Sequence, residues 1–332
     1  MIFRTLLAAT TMLVGAGLAA QAQDYPDHEL QGIIMWGAGG ATDVVAHAVT
    51  PAAEEALGQS IVLVNRPGGT GAISTAFVSA APADGYTILY GAENPQLHGV
   101  MGLSEIDYAD FYPVNILGRG VGVVVARADA PWNSFSELVA DANERPGEIK
   151  MGSTGPGGIP FVVNAMLNAV APYEVTAVPF DGEGPALTAL QGGHVDFIPS
   201  GISAAAELIR AGKVKPLAVI NTEPVEQLPN VPAITDEYPE MEKYLPWGPF
   251  YGVFVRQDVP EEAKTALVEA FDTAASSEDF VELMKNRGNI VMNISGDEAR
   301  EFLDDWQSTT TWLLQEAGET KVSPEDLGIP KP

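Results

Sequence analysis

Short apolar runs alternate with amphipathic stretches through most of the chain. Residues 33–36, 61–64, 87–90, 121–126, 149–151, 175–180, 195–199, 216–220, 250–255 and 290–294 are brief and rich in Val, Ile and aromatic side chains, which predicts buried strands. Between them, apolar positions recur at helical spacing over 42–57, 72–80, 134–145, 159–170, 185–191, 203–211, 260–276, 279–287 and 297–317. Ser134 stands where an N-cap hydroxyl is expected. This alternation predicts an α/β chain whose mostly parallel sheets are flanked by helices on both faces. Residues 227–249 break the rhythm with prolines and acids and predict an irregular crossover.

At three strand ends the chain turns on glycine. Gly37, Ala38, Gly39 and Gly40 lead into Thr42 and Asp43; Asn65, Arg66, Pro67, Gly68, Gly69, Thr70 and Gly71 follow the second strand; Gly152, Ser153, Thr154, Gly155, Pro156, Gly157 and Gly158 follow the strand at 149–151. Glycine lets backbone approach a ligand closely, and the first amides of a helix lack an internal acceptor, so such turns offer donors and partial positive charge to an anion. One turn alone reads equally well as an ordinary α/β connection, with Thr42 as N-cap and Asp43 as a first-turn acid. Recurrence in both halves of the chain points to a cleft lined by amides and hydroxyls.

Residues 1–22 carry a single cation, Arg4, an apolar stretch and the small-x-small sequence Ala20, Gln21, Ala22, which predicts a cleaved secretory signal. The apolar run is short for a membrane span, and no later segment is apolar enough to cross a bilayer. The remaining chain suffices for two domains that each bury a core. Without cysteine there are neither disulfides nor thiolate metal sites. The 17 basic residues against 44 acidic ones give a net charge of −27, which argues against nucleic-acid partners. In that field, any bound anion must be held by focused local donors.

Enzyme chemistry finds little support. The four histidines, His28, His47, His98 and His194, are scattered without metal spacing, and no G-x-S-x-G nucleophile turn occurs. Asp304 and Asp305 are adjacent on a predicted helix and point apart, unlike a glycosidase pair. No catalytic residue, metal site or cofactor is expected.

Six segments together carry a family resemblance: WGAGGATDVVA at 36–46, ALGQSIVLVNRPGGTGA at 56–72, ADGYTILYG at 83–91, VPFDGEGPALTALQGGHVDF at 178–197, IRAGKVKPLAV at 209–219 and LPNVPAITDE at 228–237. In this order the sequence resembles the periplasmic solute-binding proteins of tripartite tricarboxylate transporters, the Bug family, over nearly all of the chain after residue 22. The WGAGG and PFDG spellings resemble the tricarboxylate branch. The resemblance implies a two-lobed periplasmic binding protein fold of type II-like form. Residues 23–120 and 247–332 would form lobe 1 and residues 121–246 lobe 2, closing on a ligand in the interlobe cleft. It also implies a periplasmic location, a small organic carboxylate (a di- or tricarboxylate or a related acid) as ligand, and membrane permease subunits as partners. A receptor that presents its ligand to a signalling protein remains open beside this.

Carried over by position, first-lobe contacts fall on Ala38, Gly39, Gly40, Thr42 and Asp43, with Pro67, Gly68, Gly69 and Thr70 beside them; second-lobe contacts fall on Ser153, Thr154, Gly157, Gly158, Phe180, Asp181 and Asp196. The chain departs from the branch in two places. Pro160 and Phe161 stand where the branch tends to place tryptophan and histidine, and His47 stands where the family usually has arginine. Either the ligand carries fewer charges than citrate, or these positions face away from the cleft. Asp181 and Glu183 either bind an amine or hydroxyl or sit solvated at a helix start.

Overall fold

The computed structural model describes residues 25–332, so the predicted secretory signal lies outside the described residues. The first half runs β1 (Leu30–Ile34), α1 (Ala41–Leu57), β2 (Ile61–Asn65), α2 (Ala72–Ser79), β3 (Thr87–Ala92), α3 (His98–Met101) and β4 (Phe111–Arg119). The chain then crosses into β5 (Gly122–Arg127), α4 (Phe135–Glu144), β6 (Lys150–Ser153), α5 (Ile159–Val170), β7 (Thr176–Pro179), α6 (Glu183–Gln191), β8 (Phe197–Gly201), α7 (Ile202–Arg210), β9 (Val214–Ile220) and α8 (Ile234–Glu237). It returns through β10 (Phe250–Arg256), α9 (Glu261–Ala275), α10 (Glu278–Asn286), β11 (Ile290–Ile294) and α11 (Gly296–Glu316).

Two sheets result, with strand orders β11-β4-β10-β3-β1-β2 and β7-β6-β8-β5-β9. Each is mixed where a mostly parallel sheet was expected. The β1–β2, β1–β3, β6–β7 and β6–β8 pairings are parallel, while β10 and β4 in one sheet and β5 in the other make antiparallel pairings. β10 and β5 are the strands by which the chain enters each sheet from its ligand end, so they run against the βα strands, which end there; β4, through which the chain leaves the first sheet, runs with β1, β2 and β3 and is antiparallel only to β10 and β11. The two crossings are tied where the Gly120 amide donates to the Pro249 carbonyl at 2.8 Å.

Strand β4 had no counterpart in the sequence pattern, because Pro113, Asn115 and Tyr112 interrupt its apolar run. The proline is accommodated at an irregularity, where the register to β10 shifts between Val253 and Phe254. Within the expected crossover, α8 and a 3-10 turn over Pro239–Tyr244 supply local order. Both sheets bury their faces under helices. In the first lobe Tyr108 stacks on Phe254 with ring centroids 3.9 Å apart, and Trp306 of α11 meets Phe250 edge-on. No helix among the described residues is long and apolar enough to cross a membrane.

Candidate functional site

The three glycine turns sit at the C-terminal ends of the parallel strands, where open α/β sheets place ligands. Trp36, Gly68, Gly69, Thr70 and Leu103 from the first lobe face Thr154, Gly155, Pro156, Pro179, Phe180, Asp181 and Pro185 from the second across a cavity of about 600 Å³. Among the described residues, no lysine, arginine or histidine lines it. A second cavity of similar size, about 580 Å³, lies against first-lobe residues beneath Leu327 and Ile329 and is not shared between the lobes.

The lobes meet directly beside the larger cleft. The Gly37 amide donates to the Asp181 carbonyl at 2.9 Å, Asn94 Nδ2 donates to the Gly157 carbonyl at 2.7 Å, and Thr70 Oγ1 donates to the Thr154 carbonyl at 3.4 Å. Gly184, in the first turn of α6, lies against the backbone of Ala38, Gly39 and Gly40 so closely that an added Cβ would overlap the Ala38 carbonyl. These contacts describe a closed cleft.

Within the first turn, the structure assigns roles that differ from the expected ones. Gly40, not Thr42, is the N-cap of α1, and its cap is backbone only. Asp43 accepts the Gly39 amide at 2.8 Å and Asn65 Nδ2 at 2.8 Å, and Asn65 also donates to the Trp36 carbonyl, so this acid braces the turn from behind. Gly39, with φ +79°, thereby spends its amide inside the protein. Ala38 and Gly39 are exposed and do not line the cleft; Gly40 and Thr42 face a smaller chamber behind it.

In the second turn, Thr70 adopts φ 52°, ψ 44°, a left-handed conformation that is costly for a β-branched residue. Its carbonyl is held 3.0 Å from His98 Nε2, while His98 Nδ1 lies 3.0 Å from the Ile106 carbonyl. The strain aims the buried Thr70 hydroxyl across the cleft at the third turn. Gly68 and Gly69 line the cavity beside it, whereas Pro67 does not.

In the third turn Thr154 lines both cavity and chamber. Ser153 turns inward, its hydroxyl accepting the Gly155 amide at 3.2 Å and its carbonyl accepting the Phe180 amide at 2.8 Å. Gly157 and Gly158 do not line the cleft; Gly158 is the N-cap of α5 and packs on the Thr154 side chain. Phe180 and Asp181 line the cavity. Asp196 does not join the site: it accepts the Lys150 amide at 2.9 Å and sits 3.7 Å from Arg127 Nε. Those partners are the first residue of β6 and the last of β5, at the end of the sheet opposite the turn that follows Ser153. A four-residue strand at about 3.3 Å per residue separates it from the cleft. The departures at His47, Pro160 and Phe161 likewise lie outside the cleft lining, and His47 is 60% exposed beside Asp43.

Sequence reasoning missed the chamber of about 10 Å³ enclosed between the lobes by Trp36, Gly40, Ala41, Thr42, Ala92, Glu93, Thr154, Ile159 and Glu183. The sequence reads Glu183 as a group that binds an amine or hydroxyl or as a solvated acid at a helix start, whereas the structure buries it at 7% exposure; Glu93 carries no local signal. Glu183 accepts Ser200 Oγ at 2.7 Å and the Gly201 amide at 2.6 Å, with the Ala41 amide as a further donor. Glu93 is 1% exposed; its Oε1 accepts Asn94 Nδ2 at 3.1 Å and its Oε2 has no hydrogen-bond partner among the described residues. Burial, with a contribution from the nearby Glu183 charge, pushes Glu93 up to about 8. Burial also pushes Glu183 up, against the pull of its three donors. Glu93 therefore holds its proton at neutral pH.

Two α/β lobes with mixed sheets, closed on a shared cleft at their strand ends, define a periplasmic binding protein fold. The chain belongs to the tripartite tricarboxylate transporter family receptors, whose family profile matches residues 45–318. It is 27% identical over 322 residues to protein BugT of Bordetella pertussis, covering 95% of this chain and 98% of that one. The solved structure of the periplasmic binding protein BugD superposes with a TM-score of 0.84 at 24% identity, covering 89% of this chain and 99% of BugD. MatC from Rhodopseudomonas palustris, solved with bound malate, superposes at 0.77 with 26% identity, covering 86% of this chain and all of MatC.

Proposed function

We propose that this chain is an extracytoplasmic solute-binding protein that captures a small organic carboxylate in its interlobe cleft. It would deliver that ligand to the membrane permease subunits of a tripartite tricarboxylate transporter-type uptake system. The observation that carries the reading is the cavity of about 600 Å³ to which glycine turns of both lobes contribute, with Thr70 and Thr154 facing each other across it. Family membership and the malate bound by MatC support a carboxylate as ligand and transport as the role. The ligand-contacting set is Gly68, Gly69, Thr70, Thr154, Phe180 and Asp181, with lobe 1 taken as residues 23–120 and 247–332 and lobe 2 as residues 121–246. The protein works in the periplasm after loss of residues 1–22, and it binds its ligand without transforming it.

A thermal-shift screen of mono-, di- and tricarboxylates on purified protein tests this. A ligand at about 100 times its dissociation constant adds about 2.7 kcal/mol of stability, a readily visible shift. Prolonged incubation followed by analysis of the mixture should return the ligand intact. A flat screen refutes the carboxylate, and turnover refutes the receptor.

A further inference from the structure

The N-termini of two helices converge where the lobes meet, and the carboxyl group held there belongs to the protein. Ala41 opens the 17-residue α1 of the first lobe, and Gly201 caps the nine-residue α7 of the second. A Cβ on Gly201 would lie 3.7 Å from both the Ala41 Cβ and Glu183 Oε1. Unsatisfied amides and the positive ends of two helix dipoles favour negative charge at such a point. Glu183, 7% exposed, fills it with a carboxyl group that takes amide and hydroxyl donors from Gly201, Ser200 and Ala41. This is the turn at which a ligand carboxylate was expected. The chamber around it retains only about 10 Å³, roughly one water-sized body, and the unpartnered Glu93 Oε2 lies in its wall. Outside, the cleft proper presents Asp181 and, among the described residues, no cation.

We propose that Glu183 stands in for a ligand carboxylate, so that the cleft of this protein selects monocarboxylates over di- and tricarboxylates. The selectivity follows from charge and space. A second ligand carboxylate would find the helix termini already occupied, and would meet only acids and neutral donors in the remaining cavity. This rests on the carboxylate-receptor reading for the ligand class, but the role of Glu183 is testable apart from it.

Thermal unfolding of wild type, Glu183→Ala and Glu183→Gln in sodium acetate is compared with sodium chloride at equal ionic strength. Acetate matches the deleted group. It should raise the midpoint of Glu183→Ala saturably, by about 3 °C or more beyond any rise that cleft binding gives wild type and Glu183→Gln, whose chambers stay filled. No acetate effect on folded Glu183→Ala, or an equal effect on wild type, overturns the proposal. If Glu183→Ala does not fold in chloride, refolding in acetate alone supports it and failure in both salts overturns it. Calorimetry with butyrate and succinate, equal in chain length but carrying one and two carboxylates, gives the second arm. Wild type should favour butyrate, and Glu183→Ala should shift the ratio toward succinate tenfold or more. A wild type that favours succinate, with no shift in the variant, overturns the selectivity. Acetate rescue with neither acid bound by either protein would instead overturn the carboxylate-receptor reading and the selectivity built on it, leaving Glu183 as the internal carboxyl group.

Discussion

Replacing Gly184 by alanine tests whether affinity depends on closure, because the added methyl is harmless to one lobe and obstructive to the pair. Gly184 lies in the first turn of α6 at ordinary helical geometry, where glycine is less favourable than alanine by about 1 kcal/mol. The variant should therefore be at least as stable as wild type. Across the cleft, its Cβ would overlap the Ala38 carbonyl oxygen and lie 2.9 Å from the Gly39 carbonyl carbon and 3.0 Å from the Gly40 amide nitrogen. All three are backbone atoms that cannot rotate away. Close carbon-to-oxygen contacts need about 3.3 Å, so the lobes must separate by roughly 1 Å at this point. The Gly37–Asp181 and Asn94–Gly157 hydrogen bonds, at 2.9 and 2.7 Å, do not survive such a shift. At about 0.5–1.5 kcal/mol each, their loss weakens the closed state by about 1–3 kcal/mol, which is about 5- to 150-fold in affinity for a ligand bound only when closed. Calorimetry with the best carboxylate of the screen measures this, and small-angle scattering at saturation should show a larger radius than wild type. A folded Gly184→Ala protein with wild-type affinity would refute closure onto this turn.

Two further tests concern charge. Glu93 is raised from 4.5 to about 8, so the native state holds a proton that the unfolded chain releases. Its contribution is fully present below about pH 4.5 and is lost as pH rises through 8, in the presence of Glu183, Tyr108 and Tyr251, the titratable groups coupled to it. The midpoint of wild type should fall between pH 5 and 9 more steeply than that of Glu93→Gln, and equal slopes would refute the assignment. Asp43 and Asp196 separate bracing from bystander. Asp43→Ala removes the acceptor of the Gly39 amide and one of the two acceptors of Asn65 Nδ2, costing about 1–3 kcal/mol of stability and weakening ligand binding. Asp196→Ala removes a bond at the far end of the second sheet and should leave affinity unchanged in calorimetry.

The order of strands and helices, and the glycine turns at three strand ends, were legible in the chain because they depend on neighbours within a few residues: side-chain period, caps and backbone freedom. Family spelling then placed Thr70, Thr154, Phe180 and Asp181 in the cleft that the structure shows, and it also drew in Asp196, whose partners Lys150 and Arg127 lie at the far end of the sheet. Strand β4 was hidden by Pro113, which only a register shift against β10 accommodates. The direction of β5 and β10 was hidden as well, since the apolar pattern of a strand is the same whichever way it runs. Tertiary structure alone decided what the first turn binds. Asp43 takes its Gly39 amide, and Glu183 reaches the start of α1 from 142 positions later in the chain, across the interface between the lobes. Hydrogen bonds and burial depend on distance in space, and no pattern local to either residue records which distant groups the fold will bring within 3 Å.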